Sequence, residues 1–268
     1  MKLILIPPYQ NPVVNWGFIL RELVADFGKK GQLKGVEVDV DEGYFVDSPS
    51  EKRDEEVLAL ISVGIIRKVR EYCEMGKYDA IVLTGAIDPG FVAARFVAGI
   101  PVTTTVHSSL HVASLIGERC SWIHSGIDST LIVRHLAERY GLSHKLAAAR
   151  SSGHTTTEMF RLISRCKDNK EERYKIPELR KIIDDIMTQC VASIEEDRAD
   201  SILLGCEPLL TFEDELRKRL DEAGYDEIPI VSGLAAGIEM AKAMVNMKLL
   251  QTARAYPDQA LKAKPKYW

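Results

Sequence analysis

The sequence predicts an α/β protein built as two similar lobes, and three observations carry that prediction. Short apolar runs alternate with amphipathic segments along the whole chain. The runs are continuous rather than alternating in polarity, which suits strands buried on both faces of a parallel sheet. One pattern also occurs twice. Tyr78-Asp79-Ala80-Ile81-Val82-Leu83-Thr84-Gly85 is echoed, about 120 residues later, by Ala199-Asp200-Ser201-Ile202-Leu203-Leu204-Gly205-Cys206. Each copy is an acidic turn, a buried strand and a small-residue loop. A chain of 268 residues is long enough for one large core or two smaller ones.

The elements follow in order. Residues 2–6 form a first strand, which Pro7 and Pro8 stop; that run is too short for a signal sequence or a membrane span. A second strand is expected at 36–40. Residues 54–75 place Val57, Leu60, Ile61, Ile65, Val69 and Tyr72 on one helical side. Strands are expected again at 80–83, 102–106 and 121–123, and a helix at 128–140 that Gly141 closes. After a strand at 146–149, Pro177 opens a long helix whose apolar stripe runs from Leu179 to Ile194 and includes Cys190. A strand at 201–204 leads to a helix at 212–223, opened by a Thr211/Asp214 capping box and stopped by Gly224. A last strand at 228–231 precedes an Ala-rich helix. These elements divide as residues 1–104 for lobe one, completed by a C-terminal helix at 233–255, residues 105–232 for lobe two, and a tail at 256–268. The lysine-rich end of that tail reads as solvated or as a strap onto a neighbouring subunit.

Composition narrows the function. A net charge of −4 offers no field for nucleic acid. Five scattered cysteines without C-x-x-C spacing suit a reduced, cytoplasmic protein without structural zinc. No G-x-G-x-x-G, Walker loop, H-E-x-x-H or G-x-S-x-G is present, so nucleotide-binding, zinc-hydrolase and serine-hydrolase readings lose their main support.

In open α/β sheets ligands bind at the carboxyl ends of strands. Cys206 follows the 201–204 strand directly, where backbone N–H groups at a helix start favour a thiolate; a cysteine there also serves simply to fill a core. Its counterpart loop begins at Thr84, Gly85 and Ala86, and Gly85 is expected to face Cys206 across a cleft. Gly lets a ligand approach the backbone closely, while Asp88-Pro89-Gly90 also reads as a plain turn. His124 and Ser125 end another strand, where His124 is an acid/base candidate or a helix-capping histidine. His107 is expected to line the cleft and His111 to face outward. Asn11 could bind a polar ligand group, and His154 with Thr155–Thr157 reads equally as a helix start or a phosphate site.

Assembled in order, these segments resemble the aspartate/glutamate/hydantoin racemase superfamily, its hydantoin racemase branch most closely. The resemblance rests on Asp88-Pro89-Gly90 with Ala93-Ala94-Arg95, Ile100-Pro101-Val102, Arg139-Tyr140-Gly141-Leu142, Ile202-Leu203-Leu204-Gly205-Cys206, and Ile228-Pro229-Ile230-Val231-Ser232-Gly233. It implies two similar Rossmann-like lobes with parallel sheets related by a pseudo-twofold axis, an active site in the cleft between them, and no cofactor or metal. It also implies two cysteines on opposite faces of a carboxylate or cyclic-imide substrate, one removing the α-proton and the other returning it. Carried onto this chain, Cys206 is the second cysteine, the family's hydroxyl-bearing loop falls on His124 and Ser125, and its N-terminal polar loop on Asn11. His124, Thr84 or His107 is the substitute for the missing base, with His124 the preferred acid/base because threonine is a poor base. Asn11, Thr84, Gly85, Ala86, His107, Ser125, Glu207 and Gly233 are the substrate-binding set. Relatives are usually oligomeric, so a homo-oligomer acting on a small molecule, without nucleic acid or membrane, is expected.

The departures shape the chemistry. Gly85 stands where the branch has its first cysteine, the N-terminal Asn-Pro-Asn-Thr pattern is reduced to Asn11-Pro12, and Ser232-Gly233 replaces Asp-Gly. Arylmalonate decarboxylases resemble this layout, with glycine at the first position and one cysteine kept; Cys206-Glu207-Pro208-Leu209-Leu210-Thr211 looks like their Cys-Gly-Gly-Leu-Leu-Thr. Three readings therefore stand: a racemase or epimerase using Cys206 and a substitute base, a single-cysteine decarboxylase, and a binding protein that kept only the cleft.

Overall fold

A computed structural model describes residues 1–47, 55–167 and 169–257. The first sheet takes strands β1 (Lys2–Ile6), β2 (Glu37–Val40), β3 (Ala80–Leu83) and β4 (Val102–Thr104) in the order β2-β1-β3-β4, all parallel. The second takes β5 (Cys120–His124), β6 (Leu146–Ser151), β7 (Ser201–Leu204) and β8 (Ile230–Ser232) in the order β6-β5-β7-β8, again parallel. The same order repeated four strands later is the duplication expected from the sequence echo. It puts β3 and β7 in matching places, so Gly85 and Cys206 follow equivalent strands. The strand order reverses direction at β1/β3 and at β5/β7, and loops beyond those two pairs flank the crevice where such sheets bind ligands.

The eight strands fall where apolar runs predicted them, three with both ends unchanged and the other five with ends moved by one or two residues. Every residue of β3, β5 and β7 is buried, which explains why their sequences do not alternate. Helices cover the sheets: α1 (Trp16–Lys29), α2 (Glu55–Met75), α3 (Phe91–Val97) and α4 (Thr105–Ile116), then α5 (Asp128–Arg139), α6 (Thr156–Ser164), α7 (Pro177–Glu195), the single turn α8 (Glu207–Leu210), α9 (Glu213–Glu222) and α10 (Gly233–Asn246). Helix α7 buries Leu179, Ile182, Ile183, Ile186 and Cys190, the predicted stripe. Thr155 caps α6 by accepting from the Glu158 amide, so the His154–Thr157 segment is a helix start.

Two helix boundaries differ from expectation. The Thr211/Asp214 capping box does not form, because Thr211 instead closes α8, its hydroxyl donating to the Pro208 carbonyl, and α9 begins at Glu213 without a side-chain cap. The C-terminal helix ends at Asn246, not at 255. There Lys248 takes a left-handed backbone (φ 56°), and the amides of Lys248 and Leu249 return to the carbonyls of Val245 and Met244, a helix-ending motif that usually employs glycine. Beyond it Gln251 donates to the Ile100 carbonyl and Arg95 donates to Tyr256, which ties the end of the described chain to the first sheet's side. The expected strap or tail at 258–268 lies outside the described residues.

Helix α10 packs on β3, β4 and α4. Gly237 lets it approach: a Cβ there would stand 2.9 Å from Val82, and Thr103 donates to the Gly237 carbonyl at 2.9 Å. The two halves are clasped on another side by α1. Its Trp16 ring meets Phe160 of α6 edge-on at 4.8 Å, and its Glu22 carboxylate takes both terminal nitrogens of the fully buried Arg173. Lys170 and Asp26, and Lys30 and Asp214, extend the clasp at 2.5 and 2.6 Å.

Candidate active site between the two sheets

Strand β7 is followed by Gly205, whose amide donates to the Ile123 carbonyl at 2.7 Å. That bond prolongs the β5–β7 pairing by one residue and delivers Cys206 to the sheet edge as the residue capping α8. Cys206 is buried, and its carbonyl accepts from the Leu209 and Leu210 amides. Gly205 is required for space: a Cβ would stand 1.9 Å from the Trp122 Nε1 and under 3 Å from two further ring atoms. The Nε1 edge of the Trp122 indole from β5 therefore stands directly against the turn that carries the thiol.

A small cavity of about 10 Å³ opens beside Cys206, room for about one water molecule. Lobe two contributes Trp122, Leu204, Gly205, Cys206, Glu207 and Leu210 to its wall, and Ala86, Thr105, Gly233 and Leu234 close it from the other side. Glu207 is 2% exposed, and its Oε1 accepts the Gly85 amide at 2.7 Å. The expected meeting of the Gly85 and Cys206 loops is thus made through the Glu207 side chain. Gly85 itself sits at φ 100°, in the left-handed region, with its carbonyl held by the Thr105 hydroxyl at 3.0 Å. A Cβ there would meet Pro8 at 3.1 Å, so any other residue at 85 is strained in backbone as well as crowded.

Of the residues singled out from sequence, Cys206, Glu207, Ala86 and Gly233 share the cavity wall, and Gly85 adjoins it through Glu207. Gly233 begins the 14-residue α10, so the positive end of that helix faces the cavity. Thr84 is fully buried just before Gly85, and its hydroxyl has no hydrogen-bond partner among the described residues. The others lie elsewhere. His124 and Ser125 end β5 on the same sheet as Cys206, in a buried chain running from the imidazole Nδ1 through the Ser125 hydroxyl (3.1 Å) to Thr156 (2.9 Å). Asn11 turns its side-chain oxygen back to the amides of Val13 and Val14. His107 is packed against His111, Tyr140 and Phe91 at ring separations of 4.3, 4.8 and 5.3 Å, outside the cavity wall. Nor does His111 face outward: it is half-buried, with Nδ1 at 2.8 Å from the His107 carbonyl.

Asp88 is more than a turn residue. Its buried carboxylate accepts from the Thr104 and Tyr140 hydroxyls (2.7 and 2.8 Å) and the Val106 and His107 amides, anchoring the start of α4. Trp122 is the wall residue that sequence reasoning passed over. Its indole N–H is buried and has no acceptor among the described residues. The one available signal was a bulky aromatic inside a fully buried strand whose neighbour is followed by glycine.

Among the described residues no three histidine, cysteine or acidic side chains gather as a metal-binding group. All five cysteines are free thiols. Burial pushes the Cys120 thiol up to about 11 and the Cys190 thiol up to about 12, so both stay protonated near neutrality. No described helix is long and apolar enough to cross a membrane.

Two parallel α/β lobes with a thiol at the crevice between them define a class, and comparison with known proteins names its family. Residues 36–241 match the Asp/Glu/Hydantoin racemase family, and the chain belongs to it. A hydantoin racemase of Pseudomonas sp. strain NS671 is 29% identical over 184 residues, 69% of this chain. That match spans 65% of the relative's length. Allantoin racemase from Pseudomonas fluorescens shares the fold at a TM-score of 0.74, with 19% identity, over 96% of this chain and 97% of that one. An arylmalonate decarboxylase variant also shares it, at 0.52 and 17% identity over 92% and 94% of the two chains.

Proposed function

We propose that this chain is a cofactor-independent racemase or epimerase, moving a proton at a carbon α to a carbonyl or carboxyl group of a small cyclic imide or amino-acid-like substrate. The observation that carries the reading is the placement of Cys206 in a water-poor crevice wall beside a second ionisable group, Glu207. Removing an α-proton develops negative charge on the adjacent carbonyl oxygen, which needs preorganised donors. The Trp122 indole N–H and the amino end of α10 supply them. The cavity as it stands holds about one water, so the substrate enters when the lobes part, and closure then excludes bulk solvent. His124, in its hydrogen-bonded chain on the same sheet edge, supports the Cys206 side of the site; a homo-oligomeric enzyme is part of the same reading.

The test is proton exchange in heavy water. Single enantiomers of 5-substituted hydantoins, allantoin and amino acids, together with aryl malonates, are offered to wild type and to Cys206→Ala. Deuterium entry at the α-carbon with loss of optical rotation in wild type, the loss of rotation abolished in Cys206→Ala, is the expected result. A second reading comes from the apolar residues beside Gly85, namely Ala86, Leu204, Leu210 and Leu234, which suit departure of carbon dioxide. Release of carbon dioxide from an aryl malonate without racemisation would replace the first reading by this one. Reaction with none of the panel would favour a binding protein.

A further inference from the structure

We propose that Glu207 is the second acid/base of the site, taking the part of a base on the lobe-one face although it is carried by lobe two. The inference rests on the racemase reading above and names the group that works opposite Cys206. A racemase needs a proton acceptor and a donor on opposite faces of one carbon. Lobe one contributes Ala86, Gly233 and Leu234 to the cavity wall, and Thr105 at the lobe boundary adjoins them; none of these titrates, so that side offers no such group. His124 is carried by the strand paired directly with β7 and lies outside the wall, on the thiol's own sheet.

Glu207 does span the crevice. It leaves the chain next to Cys206, yet its carboxylate reaches the Gly85 amide on the opposite loop, 2.7 Å away. Gly85 follows β3 as Cys206 follows β7, so the carboxylate arrives at the position equivalent to the thiol in the other half of the duplication. Position 85 itself could not take over the role. Its backbone is left-handed at φ 100°, and Pro8 stands against the place of a Cβ. A base brought from the other lobe avoids that strain, and the Gly85 N–H holds it in place.

The protons balance. The Glu207 carboxylate removes the α-proton from one face, and the electron pair of that C–H bond passes into an enolate. The Cys206 thiol then donates its proton to the opposite face, leaving a carboxylic acid and a thiolate. Turnover of the other enantiomer, or exchange with water, restores the starting state.

Glu207→Gln tests this cleanly, because a glutamine oxygen still accepts the Gly85 amide but cannot take up a proton. The substrate is whichever member of the panel wild type racemises, and deuterium entry is followed separately for each enantiomer. In Glu207→Gln, racemisation should fall by about 10²- to 10⁴-fold. Exchange of the enantiomer whose proton faces Cys206 should persist with retained configuration. In Cys206→Ala the opposite enantiomer should be the one that still exchanges. Racemisation at wild-type rate in Glu207→Gln, or equal loss of exchange for both enantiomers in a folded variant, would overturn the assignment while leaving the racemase reading intact. Wild type that exchanges no member of the panel would overturn both.

Discussion

Asp88 and His107 lie close together outside the cavity wall, and burial drives their acid–base behaviour in opposite directions. Desolvation of the Asp88 carboxyl outweighs its four hydrogen-bond donors and pushes it up to about 6. Desolvation of the His107 imidazole, then the charges of His111 and Arg95, push it down to about 3. The folded value of Asp88 lies above its unfolded value of 3.8. Its contribution is therefore full below about 3.8 and is lost as pH rises through about 6. The folded value of His107 lies below 6.5, so its contribution is full above about 6.5 and is lost as pH falls toward about 3. The two slopes oppose one another across the shared window. Asp88→Asn should unmask a stability, measured by urea unfolding, that climbs with pH between about 4 and 6. His107→Phe should unmask one that declines over the same range. Parallel curves for the two variants and wild type would refute the pairing. Asp88→Asn should also lose about 1–3 kcal/mol at neutral pH, since its amide nitrogen must face either the Val106 or the His107 N–H.

At the scale of elements, the site depends on how the turn between β7 and α8 lies under β5. The Trp122 ring edge and Gly205 are in close contact: the indole Nε1 needs a residue without a side chain beside it. Gly205→Ala would place a methyl group 1.9 Å from the Trp122 Nε1. A rigid indole in a filled core cannot yield cheaply, so the variant should lose roughly 1–3 kcal/mol in urea unfolding and shift the tryptophan emission. Unchanged stability and emission would show that the ring has a second resting place. The elements that departed from sequence expectation have local causes too. Thr211 reads as a helix opener, but Pro208 starts α8 early and leaves the threonine at the end of a turn.

For the whole molecule, the clasp between α1 and lobe two buries an ion pair on which stability depends. Arg173 is fully buried with Glu22 as its counter-ion, and its Nε has no acceptor among the described residues. Glu22→Gln leaves that charge uncompensated and should cost about 3–5 kcal/mol, read by urea unfolding. The double variant Glu22→Leu/Arg173→Met should recover most of the loss, because two apolar side chains carry no desolvation penalty. A double variant no more stable than Glu22→Gln would contradict a charge-burial origin for the effect.

The sequence by itself determined the strands, the duplication and the position of the thiol. Continuous apolar runs such as Ala80–Leu83 and Ser201–Leu204 admit few structures besides a strand covered on both faces, and the loop after such a strand in an open sheet lies at the ligand-binding edge. It also marked Gly85 as a backbone position with a special role. Only the tertiary structure decided which polar side chains reach the crevice. Asn11 and His107 look as available in sequence as Glu207, yet Asn11 is turned into its own loop and His107 is packed among aromatic rings. Glu207 crosses to the other lobe because the Gly85 amide is aimed at it. Strand identity comes from local burial patterns, whereas a side chain's direction depends on distant groups that compete for it, here 122 residues away along the chain.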